Sequence, residues 1–265
     1  MLEFRHLQKD DWKEFNLLEQ EAFEKDAMNE TSFSDHLKED GFIGLFSNKQ
    51  LIGYLFMRII ESYGHLSRIA VKKSEWGKGY GSKLMSYALE YFTQRNSSNI
   101  HLYVESENER AIALYKKFGF SVISESWHYF VAEDQVKLIE NNLLSKKIGD
   151  IQILKSKDLS LLHENFPDAK KEEFIERLNR IDYYNLGFFV KRELIIYGAF
   201  LPSFSGMRPF LCKKPEYLEA FLAKLTPYRE KPYLRITFDG NKPLVEHCDK
   251  QNYRIWHHLF RMEKK

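Results

Sequence analysis

Glycine recurs at every second position in Gly77-Lys78-Gly79-Tyr80-Gly81, after an apolar run that ends at Val71. After it, Leu84, Met85, Ala88, Leu89 and Phe92 repeat at helical spacing. The order is therefore strand, tight turn, helix, with glycine where side chains would block a close approach to the backbone. Such a turn leaves main-chain N–H groups open at a helix N-terminus, where the helix dipole adds to their pull on an anion. Nearby charges agree: residues 68–83 hold Arg68, Lys72, Lys73, Lys78 and Lys83 against the single acid Glu75. A Walker A loop is absent, and the dinucleotide fingerprint would need glycine at 82, where Ser82 stands. Taken alone, the alternating glycines mark a flexible turn more readily than a phosphate site.

The surrounding pattern is a mixed α/β one. Residues 2–7 predict a strand and 11–40 a helical region. Phe42–Phe46 and Leu51–Met57 predict a hairpin across the polar Ser47-Asn48-Lys49-Gln50. Residues 65–71 and 100–104 predict further strands. Between 111 and 118, Ala111, Leu114, Tyr115 and Phe118 share one helix face, which Gly119 ends as a C-terminal cap. Residues 120–131 are again strand-like, and 134–149 predict a connector, with helix as one form it can take.

The second half repeats this pattern. At an offset of 133 (241 minus 108), the strand, Asn108, helix, Gly119 and Phe120 of 101–120 fall on the strand, Asn241, helix, Asn252 and Tyr253 of 234–253. At an offset of 141, "LSRIAVKKSEW" falls on "MRPFLCKKPEY" (207–217). The eight residues between the two offsets are the glycine turn, which the second copy lacks. Tyr115 becomes Cys248, which a helix face holds as a small core residue. The domains expected are 1–133, a connector 134–149, and 150–265.

The paired motifs "LSRIAVKKSEWGKGYGSKLMSYALEYF" and "HLYVESENERAIALYKKFGFSV" resemble the GNAT superfamily of N-acetyltransferases, most strongly over 65–131. The resemblance implies two GNAT-like domains. Each would be a mixed, mostly antiparallel sheet with a splayed parallel strand pair and helices on both faces. The second would be degenerate. It implies acetyl-CoA as co-substrate, its pyrophosphate on the amides of Gly77, Lys78, Gly79, Gly81 and Ser82, and its pantetheine arm beside Ile69 and Val71. Asn108 matches a cofactor-contacting residue and is equally a helix N-cap. Tyr115 matches the family's proton donor to the departing thiolate, and is otherwise core. Trp76 stands where the family has Arg or Gln, so Lys78 or Lys83 must supply the ionic contact. Glu105 is the candidate general base, ahead of Glu107, His65 and His101.

The function implied is acetyl transfer to a primary amine of a small acceptor by direct attack. The alternative is a non-catalytic acyl-CoA sensor. Ten acids against three lysines in 11–40 make either a solvated helix face or a rim that gathers a cationic amine. A net charge of +2 without a basic stripe predicts no nucleic-acid partner. No apolar run reaches the roughly 20 residues that span a bilayer, and no signal peptide is visible at the start. Two cysteines without metal-site spacing predict a reducing, cytoplasmic setting and no metal. The expected assembly is a monomer whose halves form a pseudo-dimer, or a homodimer.

Overall fold

The computed structural model of the chain describes residues 1–60, 63–97, 99–169 and 171–265. They form two units: Met1–Ser124 with Phe260–Lys265, and Glu125–Leu259.

The first unit runs β1 (Leu2–His6), α1 (Trp12–Ala22), α2 (Glu30–His36), β2 (Phe42–Ser47), β3 (Gln50–Ile60), β4 (Tyr63–Val71), α3 (Tyr80–Gln94), β5 (Ile100–Glu105) and α4 (Glu109–Lys117). Strands β1 to β4 pair antiparallel in sequence order. The turn between β2 and β3 places Asn48 and Lys49 at positive φ, the twist that a two-residue hairpin requires. Successive strand side chains point to opposite faces. Tyr54, Phe56 and Ala70 thus build one core with Phe15, Leu18 and Phe33 of α1 and α2. Leu55, Met57 and Leu66 build the other with Leu84, Met85, Phe92, Ile112 and Tyr115 of α3 and α4. Helices therefore cover both faces.

Strands β4 and β5 are parallel and pair only at Gly64–Ile100, His65–His101 and Leu66–Leu102. Beyond these pairs no register joins them among the described residues. Strand β4 also carries a bulge: Arg68 opposes Phe56 and Leu66 opposes Met57, so Ser67 is the extra residue.

The second unit contains the following elements: most of β6 (Ser121–Val131), α5 (Glu133–Leu143), β7 (Asp150–Ile153), α6 (Leu159–Asn165), α7 (Lys171–Leu178), β8 (Tyr184–Val190), β9 (Glu193–Leu201), β10 (Gly206–Cys212), α8 (Leu218–Leu222), β11 (Leu234–Asp239), α9 (Lys242–Lys250) and part of β12 (Arg254–Lys264). Its pairing copies the first unit. Strands β7 to β10 are antiparallel neighbours. Strands β10 and β11 are parallel and, among the described residues, pair at Gly206–Arg235 and Met207–Ile236 alone. The hairpin residues Lys191 and Arg192 repeat the positive φ of Asn48 and Lys49.

The sixth strand of each unit comes from the other half of the sequence. In the second unit, Ser126–Val131 of β6 pair antiparallel with β11. In the first, Phe260–Lys265 take the place beside β5, with Met262 fully buried in that core. Residues 134–149, expected to be a connector with helix as one form, begin within α5, whose Val136 and Ile139 are buried in the second unit's core. No helix among the described residues is long and apolar enough to cross a membrane.

Candidate active site

The glycine turn adopts the backbone its sequence requires. Gly77 and Gly79 sit at φ of +81° and +82°, and an added Cβ at either would meet nothing within 4 Å. Conformation, not crowding, selects glycine there. Gly79 is the N-cap of α3, so the amides of Tyr80, Gly81 and Ser82 head the helix without intrahelical acceptors. Lys78 lies on the turn and pairs with Glu75 at 3.0 Å.

Trp76, which departs from the family pattern, has two roles here. Its indole Nε1 donates to the Val71 carbonyl at 2.7 Å, tying the turn to the end of β4. Its ring carries the Arg110 guanidinium at 4.1 Å from the centroid. A cation thus stands at the head of the turn after all, supplied from α4. Sequence reasoning passed over Arg110 because the contact links residues 34 positions apart (110 minus 76).

The amide of Lys72 reaches back to Ile52 of β3. Alternate strand residues point their backbone groups in opposite directions. Those of Val71 and Ile69 therefore face the side on which β4 and β5 part. The Val71 carbonyl there is taken by Trp76, and Ile69 faces the widening slot.

Asn108 is a helix cap: its side chain accepts from the Ala111 amide at 3.1 Å. Tyr115 is buried at 5% exposure in the core between α4 and the sheet. Burial pushes its phenol above the usual range, so it stays protonated. Among the described residues its hydroxyl has no hydrogen-bond partner. Glu105 is exposed at the end of β5. Lys83, Glu107 and His101 lie outside the residues lining the cavity described next.

That cavity, about 410 Å³, opens on the other face of β4. It is lined by Asp26 and Asn29 of the α1–α2 connection, by Ser32 and His36 of α2, and from β3 and β4 by Phe56, Arg58, His65, Ser67 and Arg68. The acids of 11–40 do not ring it. Glu19 is fully buried and accepts from the Tyr54 hydroxyl, from Arg68 and, at 3.1 Å, from the Met28 amide. Burial drives the Glu19 carboxyl upward, while Arg68, Tyr54 and Met28 pull it back. Asp11 pairs with Arg5 at 2.8 Å, and Glu14 accepts from the Leu51 amide at 2.7 Å. These acids build structure. Charge counting along the chain could not separate them from solvated ones.

The second unit has a similar order of strands and helices. Where the first has its glycine turn, the second has a short 3-10 turn, Pro215–Tyr217, running into α8. Asn241 caps α9 from the same position as Asn108, accepting from Leu244 at 3.1 Å. Its amide also donates to the Cys212 carbonyl at 2.8 Å. Cys248, in the place of Tyr115, is fully buried with its thiol pushed up by burial, and the Cys212 thiol is pushed up to about 12. No group of three His, Cys, Asp or Glu side chains among the described residues is arranged to hold a metal ion.

Compared with known proteins, residues 2–120 match the acetyltransferase (GNAT) family. The match covers most of the first unit. An uncharacterized N-acetyltransferase of Bacillus subtilis is 34% identical over 88 residues, 33% of this chain and 35% of that protein. The spermidine N(1)-acetyltransferase of Escherichia coli is 37% identical over 71 residues, 26% of this chain and 38% of that enzyme. The chain spans little more than a third of the length of these curated relatives. Over 99% of its length it shares the fold of a GCN5-related N-acetyltransferase from Sphaerobacter thermophilus, with a TM-score of 0.66, 12% identity and 95% of that chain covered.

Proposed function

We propose that the GNAT domain transfers an acetyl group from acetyl-CoA to a primary amine of a small acceptor, by direct attack within a ternary complex. The observation that carries this reading is the parting of β4 and β5 after Leu66 and Leu102, with the glycine turn at the end of the same β4. A slot with backbone groups along one wall and free helix amides at one end fits a long thioester that carries a pyrophosphate.

In this reading, the amides from Gly77 to Ser82, with Lys78 and Arg110, hold the pyrophosphate. Trp76 keeps the turn in register with β4. Ile69 and Val71 line the pantetheine arm, and Asn108 fixes the start of the helix that presents Tyr115. The amine attacks the thioester carbonyl, a tetrahedral intermediate forms, and the carbon–sulfur bond breaks. The Tyr115 phenol, kept protonated by burial, gives its proton to the departing thiolate. In this reading Glu105 accepts the amine's proton through solvent. The second unit, with the slot bridged by Asn241 and no glycine turn, acts as scaffold.

The test is release of free coenzyme A thiol from acetyl-CoA in the presence of a panel of primary amines. Turnover that drops on the order of 10²-fold in Tyr115→Phe supports the reading. Tight coenzyme A binding without turnover across the panel would establish a sensor instead.

A further inference from the structure

Building on the acetyltransferase reading, we propose that the acceptor amine carries a carboxylate, which Arg58 holds in the cavity beside β4. The argument begins with the two arginines that line that cavity. Arg68 is fully engaged: it pairs with Glu19, donates to the Asp26 carbonyl at 2.8 Å and lies over the Phe23 ring at 4.5 Å. Its charge is balanced within the fold.

Arg58 is not balanced. Among the described residues it has no carboxylate partner. Its Nη2 lies 3.4 Å from Nδ1 of His36, and its guanidinium rests over the Phe56 ring at 4.4 Å. Its Nε is buried without a hydrogen-bond partner, as is the Ser67 hydroxyl on the bulge of β4. His36 offers no compensating negative charge, and its own titration is pushed below the usual histidine range by burial and by Arg58. Asp26 is the one carboxylate among the described lining residues.

A buried guanidinium edge left unpaired is costly, and Arg58 is held in place by Phe56 and His36. The Nε and Nη groups of arginine form a planar fork that matches the two oxygens of a carboxylate. The Ser67 hydroxyl adds a further donor on the same cavity wall. The position is also right. Arg58 faces His65 across the β3–β4 pair, and His65 is one residue before Leu66, the last residue of β4 that pairs with β5. Neighbouring strands lie about 4.8 Å apart. A carboxylate on Arg58 therefore leaves an amine a few bonds away within reach of the slot. A polyamine would instead bring its positive charges against Arg58.

The experiment compares acceptors that differ only at the anion. The twenty protein amino acids, their carboxamides, phosphoethanolamine and spermidine are each offered with acetyl-CoA, and thiol release is measured. At least one amino acid is expected to exceed its own carboxamide about tenfold or more in kcat/KM. In Arg58→Gln that ratio falls toward one, mainly through KM, and Arg58→Lys recovers only part of it. Thiol release that is best with spermidine, with carboxamides or with phosphoethanolamine leaves the acetyltransferase standing and overturns the carboxylate assignment. If no amine yields thiol, the enzymatic reading fails separately. Calorimetric titration of N-acetylated amino acids into the coenzyme A complex then decides the anion site. Binding weakened about tenfold in Arg58→Gln supports it, and equal or absent binding overturns it.

Discussion

The side-chain amide of Asn241 closes on the carbonyl of Cys212 at 2.8 Å, joining the two strands that part in the second unit. Asn108 stands at the equivalent place in the first unit. There the matching carbonyl, that of Val71, is taken instead by the Trp76 indole at 2.7 Å. One change of partner separates a bridged slot from an open one.

This difference predicts unequal costs for the same substitution. Asn108→Ala removes one capping bond and costs about 1 kcal/mol. Asn241→Ala removes a cap and a bridge and costs about 2 kcal/mol. Urea unfolding of the two variants measures both, and equal losses would refute the second bond's contribution.

Tyr115 predicts the shape of the pH profile. A free phenol ionises near 10, and burial moves this one higher. The proton donor therefore persists across the working range. As the acceptor amine loses its proton, kcat/KM is expected to climb with pH and then stay level to about pH 10. A descending limb below pH 9 that disappears in Tyr115→Phe would assign ionisation to this residue and contradict the burial argument. The same variant is expected to melt close to the parent, because the hydroxyl it removes has no partner among the described residues.

Gly79→Ala isolates backbone conformation from space. The new methyl meets nothing, so the whole effect arises from holding alanine at φ +82°. The expected loss is about 1–2 kcal/mol, together with weaker coenzyme A binding by calorimetry. Lowered stability with unchanged affinity would separate the turn from the ligand.

Glu19 is expected to be the most sensitive acid of the N-terminal region. Glu19→Gln leaves Arg68 without its ion-pair partner and costs about 2–4 kcal/mol. Substituting the exposed Glu24 or Glu30 the same way is expected to change the melting midpoint by less than the assay error. Comparable losses at all three would mean that burial does not distinguish them.

The glycine turn, the β-α order and the duplicated pattern were readable because each is carried by neighbours in the chain. Positive φ at Gly77 and Gly79, the cap at Asn108 and the left-handed residues Gly119 and Asn252 follow from local chemistry. The exchanged last strands were not readable. Residues 121–131 and 254–264 have the same strand character, and nothing within either says which β-strand it will join. The cavity was hidden for a related reason. Arg58, His36 and Ser67 come from three separate elements, and in "LFMRII" Arg58 reads only as a polar residue near a strand end. Glu19 was misjudged because a linear count of charge carries no information about burial.

The crossing of the last strands sets the order of assembly. The half of the chain that leaves the ribosome first cannot finish its sheet until Phe260–Lys264 have been made, so until then β5 presents a bare edge. Residues 126–131, meanwhile, must wait for β11, translated a hundred residues later. Neither half has a complete fold to offer by itself. Completion of the first unit is therefore tied to synthesis of residues 260–264, and severing the chain midway would leave each fragment with an unpaired strand edge.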